Sequence, residues 1–235
     1  MTWSILARDG DVLGGAVATR FFAVGALCLH VEGGVGALAT QALINPMLAW
    51  HGMPRLRAGA DPATLLPELL AADDGRAVRQ LHVIDAAGRI GQHTGAACVA
   101  WCGHIRGVDI SVAGNMLAGA AVLDRTLDAF AATPGPMAVR LLAALDAGEA
   151  AGGDKRGKQS AALKIHGQEA YPWLDLRVDE HTAPVAELRR VFGVAWHQLR
   201  PFIDAMPTRA GSGASMPASV TDMLALSPQD RPGGS

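Results

Sequence analysis

Apolar positions run nearly unbroken through the first forty residues, interrupted only where turn residues cluster. TWSILAR and DVLGGAVATR read as two strands joined at the polar turn Asp9-Gly10-Asp11. Two more short strands are predicted around Ala26–Val31 and Val35–Thr40, with a turn at Gly33-Gly34. The period then changes. Asn45 is a cap residue and Pro46 needs no amide hydrogen at a first helical position, so a helix runs from there to about His51. Asp61 and Pro62 repeat the device, with Leu65, Leu66, Leu69 and Leu70 as the buried stripe. RQLHVIDAAGRIGQHTG is a hairpin turning at Ala86–Gly88, and VDISVAGNML is a further strand running into a loop. Helices follow near 119–132 and 136–149, then strands in SAALKIHG and YPWLDLRVDE. A last helix over 183–205 would bury Val185, Leu188, Val191, Phe192, Ala195, Leu199 and Phe202.

This order lacks the regular βα alternation of a doubly wound sheet. It predicts an α+β layered sandwich, with stacked antiparallel sheets and helices outside. Residues 1–206 would form one domain. The stretch 207–235 is rich in Pro, Gly and Ser and reads as a mobile tail.

Half of the 235 residues are apolar, enough for a full core, yet only 5% are aromatic, so Val, Leu, Ile and Ala must pack it. A net charge of -2 with interspersed signs gives no electrostatic footprint for nucleic acid. No run approaches the ~18 apolar residues of a spanning helix, and no secretory signal is visible, so no membrane partner and a cytoplasmic location are expected. Cys28, Cys98 and Cys102 are too few for a disulfide framework.

Several segments could carry chemistry. Thr2 would gain a built-in base, its own α-amine of pKa ~7.7–8, if Met1 were trimmed. Met-Thr is also an ordinary start. GGDKRGKQSAAL offers Asp154, Lys155, Arg156, Gln159 and Ser160 on a glycine-led loop, which is either a ligand loop or a solvated turn. Thr40, Gln41 and Asn45 end an apolar strand, where they could recognise an amide or cap the next helix. Asn115 follows a strand and a glycine, suited to donating to an oxyanion or to a left-handed turn. His93, Cys98, Cys102 and His104 lie close together, but their spacing matches no familiar zinc pattern, and small core cysteines explain the segment as well.

Taken together, TWSILARD, VATRFFAVGA, GVGALATQALINP, HTGAAC, GNMLAG, GGDKRGKQSAAL and YPWLDLRVDEH, in this order, closely resemble a family of unknown function, DUF1028, grouped with the N-terminal-nucleophile hydrolases. The resemblance implies a four-layer α-β-β-α sandwich and amide hydrolysis by the first residue of the mature chain. Thr2 is the position matching the nucleophile. Asn115 or Thr40 would then serve as oxyanion donor, and Arg20, Gln41, His93, Asp154, Arg156, Gln159 and Ser160 would line the pocket. Arginines there suit a substrate with a carboxylate. Where proteasome-like members carry an acid and a lysine, this chain reads GGAVATR and ALCLHVEG, so the proton-handling groups differ. The expected protein is a cytoplasmic homo-oligomer acting on a small amide or short peptide-like substrate without metal or cofactor. A non-catalytic binding or assembly module and, more weakly, a metal-dependent hydrolase using His93, His104 and the cysteines are the alternatives.

Overall fold

The structure is a computed structural model that describes residues 2–213 and 215–233. Strands β1 (Thr2–Asp9) and β2 (Val12–Thr19) form a hairpin whose turn uses Gly10 at φ 57°. After a 3-10 turn at Val24–Ala26 come β3 (Leu29–Glu32) and β4 (Gly36–Ala42). Helices α1 (Pro46–Arg57) and α2 (Pro62–Ala71) lead to β5 (Arg79–Asp85) and β6 (Ile90–Thr94). Then follow β7 (Gly103–Gly107), β8 (Ile110–Asn115), α3 (Ala121–Ala132), α4 (Met137–Ala150), β9 (Ser160–His166) and β10 (Leu174–Val178). The chain continues through α5 (Pro184–Gln198), α6 (Arg200–Ile203) and α7 (Ala218–Ala225).

The strands make two antiparallel sheets, a six-stranded one ordered β10-β9-β2-β1-β8-β7 and a four-stranded one ordered β3-β4-β5-β6. Alternation along each strand assigns the faces. Leu6, Leu13 and Val17 of the larger sheet meet Leu29, Val31, Ala37, Ala39 and Ile84 of the smaller one. Trp3, Ile5, Val112, Leu163 and Ile165 face the other way and pack with α3, α4 and α5. Leu38, Leu81 and Val83 pack outward on α1 and α2. The result is a four-layer α-β-β-α sandwich of α+β class: stacked antiparallel sheets with helices outside, as the order of elements predicts, in the four layers that the family resemblance implies.

Both helix caps are as read: Asn45 and Asp61 accept from the backbone N–H of Met47 and Ala63. Some details differ from expectation. The strand expected at Ala26–Val31 runs over Leu29–Glu32, behind the 3-10 turn at Val24–Ala26. Helix α1 continues six residues past His51, through Pro54, because its buried stripe runs on to Leu56. The carbonyl that Pro54 leaves without a donor is that of Trp50, on the solvent side. Strand β7, with glycine at both ends and only Ile105 turned partly inward, is an edge strand that periodicity does not reveal. The last long helix ends at Gln198, because Pro201 has no N–H to offer His197. The stretch after Met206 holds an eight-residue helix, α7, which buries Val220 and Met223.

Candidate functional site

Thr2 begins the central strand of the larger sheet. It pairs with Thr19 at the end of β2 and with Asn115 at the end of β8, and Thr19 pairs in turn with Ser160 at the start of β9. Directly opposed residues share a face, so Ser160, Thr19, Thr2 and Asn115 form one polar row across four strands, at one end of the inter-sheet space. Thr2 is 4% exposed, and its Oγ1 lies 3.2 Å from Thr19 Oγ1. Met1 lies outside the described residues.

Behind this row the two sheets are joined by a buried polar network, and its donor order can be worked out. The Ser4 hydroxyl donates to Gln41 Oε1 at 2.7 Å, so His82 Nε2 must be the donor in its 2.8 Å contact with Ser4 Oγ. His82 Nδ1 then accepts from the Ser111 hydroxyl at 2.8 Å, and Ser111 Oγ accepts from Gln92 Nε2 at 2.9 Å. The imidazole is neutral. Burial, with a smaller contribution from the charge of His104, pushes its pKa down to about 3. Gln80 is the second hub. Its Oε1 accepts from Gln41 Nε2 at 2.8 Å and Asn115 Nδ2 at 2.9 Å. Its Nε2 faces Thr94 Oγ1 and the carbonyls of Gly103 and Gly114, all within 2.9 Å. These acceptors fix the Gln80 amide, and through it that of Asn115. Cys28 lies at the edge of the network, 3.9 Å from Gln41 Oε1, and burial lifts its thiol to about 12, so it holds no thiolate at neutral pH.

The loop after α4 wraps over the same end. Gly152 and Gly153, at φ 109° and 47°, make the reversal. The buried Asp154 carboxylate accepts from the backbone N–H of Arg20 at 2.8 Å and of Arg156 at 2.9 Å. Arg20 Nη1 donates to the carbonyl of Arg156, and Arg156 Nη2 to the carbonyl of Arg20. Gln159 uses its backbone: its N–H donates to Thr19 O at 2.8 Å, and its carbonyl accepts from His181. Ser160 Oγ donates to Phe21 O at 2.5 Å and accepts from Val24 N at 3.1 Å. Asp154, Gln159 and Ser160 thus latch the loop to the end of β2. Arg20, Lys155, Arg156 and Lys158 are exposed around this carboxylate; Arg156 pairs with it, Lys155 Nζ donates to Ala100 O at 2.8 Å, and Lys158 Nζ pairs with Glu149 at 2.7 Å.

The structure brings Thr2, Asn115, Gln41, Arg20, Asp154, Arg156, Gln159 and Ser160 to one end of the sandwich. It does not bring Thr40 or His93 there. Thr40 stands one residue from Gln41 and therefore on the opposite face, where its hydroxyl contacts the backbone N–H and carbonyl of Asn45. Its role is to hold the turn into α1. His93 is likewise on the outer face, with Nε2 3.0 Å from Arg76 O. Cys98 and Cys102 donate to the carbonyls of Arg79 and Cys98. Among the described residues no group of three or more His, Cys, Asp or Glu converges to hold a metal. Thr19, Ser4, Gln80, His82, Gln92, Thr94 and Ser111 are the members the sequence reading missed. The signal was present: Ser4, Gln80, His82 and Ser111 sit at alternate positions within otherwise apolar strands.

The model of a family of unknown function, DUF1028, matches residues 2–188. No curated protein matches the chain. Among solved structures, protein SPO2555 from Silicibacter pomeroyi, of the same family, is 30% identical and superposes with a TM-score of 0.85, over 92% of this chain and 96% of that one. HslV from Trypanosoma brucei is 13% identical, with a TM-score of 0.39 over 70% of this chain and 99% of that chain. Anbu (ancestral beta-subunit) from Yersinia bercovieri is 14% identical, with a TM-score of 0.43 over 87% and 97%. On the family match and the SPO2555 relationship, the chain belongs to the DUF1028 family.

Proposed function

We propose that the chain is an amidohydrolase that cleaves a small amide or short peptide-like substrate, with Thr2 as its N-terminal nucleophile. The placement of Thr2 carries this reading. It begins the central strand, between the hydroxyl of Thr19 and the amide of Asn115, at the rim of a network that holds both sheets in register. With Met1 removed, the neutral α-amine takes the Thr2 hydroxyl proton as Oγ1 attacks the substrate carbonyl. Charge builds on the carbonyl oxygen. Asn115 spends one amide hydrogen on Gln80 and has a second to offer that oxygen. The tetrahedral intermediate then expels the amine, which takes the proton back from the Thr2 ammonium, and water hydrolyses the ester left on Oγ1. Arg20 and Arg156 supply positive charge at the mouth, suited to a substrate carboxylate. The reading calls for no metal or cofactor.

One observation favours a second reading. Among the described residues, the side chains bonded into the network are hydroxyls, amides and a neutral imidazole, with no carboxylate or ammonium. A binding or assembly module on the same fold would need none.

Intact mass and a β-lactone probe separate the two. Ring opening by Oγ1 adds the whole lactone mass to the protein. The expected result is a chain lighter by one methionine that labels as wild type and as Thr2→Ser, but not as Thr2→Ala. Against a panel of carboxylate-bearing amides, Thr2→Ala should lose about a thousandfold or more in turnover. A processed wild-type chain that neither labels nor turns over any amide would sink the hydrolase reading in favour of the module.

The reading also makes the protein a cytoplasmic homo-oligomer. No helix among the described residues is long and apolar enough to cross a membrane. Phe21, Phe22, Leu43, Met47 and Trp50, exposed in the single chain, are candidates for coverage by another copy. Light scattering should give a multiple of 24.3 kDa, and a single species at that mass would remove this part.

A further inference from the structure

On the other face of the larger sheet, a cavity of about 180 Å³ opens among α4, α5 and the ends of β9 and β10. It lies about 16 Å along β9 from Ser160 at the ordinary strand rise, so it is separate from the Thr2 row. Met137, Ile165, Leu174 and the rings of Trp173 and Trp196 line it, with Arg200 at one side. The Arg200 guanidinium carbon stands 4.8 Å from the Trp173 ring centroid and 6.0 Å from that of Trp196. Its Nε donates to Asp204 Oδ1 at 2.8 Å, which leaves the edge formed by its two Nη groups without a partner among the described residues. Asp9, also on the rim, is matched by Arg140 Nη1 at 2.9 Å. Pro136 gives α4 no side-chain cap, so the positive end of that helix borders the same space.

An apolar space of ~150 Å³ is enough for benzene. This one therefore has room for one six-membered ring or a short branched chain. A planar guanidinium edge matches a carboxylate, and two indole faces match the apolar part. We propose that this cavity binds small monocyclic or branched carboxylates, with the hydrocarbon against Trp173 and Trp196 and the carboxylate on the open edge of Arg200.

The test uses the full chain, with phenylacetate and its neutral analogue phenylacetamide, read by tryptophan fluorescence. Saturable quenching by phenylacetate with a Kd of about 0.1–1 mM is expected, an ordinary affinity for a ligand of so few atoms. Phenylacetamide should bind about tenfold more weakly, because it cannot form the charged pair. Arg200→Gln should weaken phenylacetate by about tenfold and phenylacetamide by no more than about twofold. Trp196→Phe should remove much of the fluorescence change. No saturable signal with wild-type protein, or equal affinity for the two ligands, overturns the proposal without reliance on any variant. So does loss of phenylacetate binding after β-lactone labelling of Thr2, which would assign the ligand to the Thr2 row instead.

Discussion

At the scale of the residue, His82 decides how the molecule responds to acid. An unfolded histidine titrates near 6.5, whereas burial holds His82 down to about 3. Between those values the unfolded chain binds a proton that the folded chain refuses. The stability from His82 is therefore fully present above about pH 6.5 and drains away as pH falls toward the folded value. At ~1.36 kcal/mol per pH unit, His82 alone should remove about 2 kcal/mol of stability between about pH 6.5 and 4.5. His82→Gln can still donate to Ser4 and accept from Ser111, but it cannot titrate. Urea unfolding at both pH values should show a smaller acid loss in the variant. His30, His104 and His166, also lowered by burial, act alike in both proteins. Equal acid losses in the two would refute the network as drawn. Parity governed what could be read here. Thr2 and Asn115 were legible as polar residues at the ends of apolar strands. Between Thr40 and Gln41, or Gln92 and His93, only the choice of inward face separates a member of the network from an outer residue. Strands apolar on both sides do not reveal that choice.

At the scale of the element, the loop from Gly152 to Ser160 is a clamp rather than a solvated turn. Asp154 alone satisfies two backbone N–H groups on two segments and pairs with Arg156, while its own side chain is fully enclosed. Asp154→Ala would leave both donors without their acceptor and should cost about 2–4 kcal/mol in denaturant unfolding. The β-lactone rate should fall in the same variant, because the end of β2 that carries Thr19 loses its tether. Asp154→Asn, which keeps one acceptor oxygen, should fall in between. A variant as stable and as reactive as wild type would make the clamp incidental. The elements themselves were largely legible, since capping residues and periodicity are local. Asn45-Pro46 and Asp61-Pro62 start their helices where expected. What escaped was set by tertiary packing: β7 exists because β8 offers it an edge, and α1 outlasts Pro54 because Leu56 has a core to enter.

At the scale of the whole molecule, the sandwich stacks two sheets whose inner faces are apolar at one end and polar at the other. The apolar end supplies cohesion, and the polar end supplies order around Thr2. Among the described residues, strands β1–β10 and helices α1–α6 lie before residue 206, so the tail must be weighed as an addition to that fold. Its helix α7 buries two apolar side chains, Val220 and Met223. That is little apolar burial to set against the backbone entropy of ordering eight helical residues. Among the described residues, the hydrogen bonds that tie the tail to the rest are those of Gln198 to the carbonyl of Pro232, the Tyr171 hydroxyl to that of Pro207, and Arg209 to Glu169. The helix is thus weakly docked, and α7 should behave as a mobile appendage that visits this position. Amide hydrogens of α7 should exchange orders of magnitude faster than those of β1 or β5. Truncation after Met206 should shift Tm by no more than about 4 °C, the equivalent of ~1 kcal/mol for a domain of this size. A drop beyond about 8 °C, or core-like protection in α7, would make the tail an integral layer of the fold.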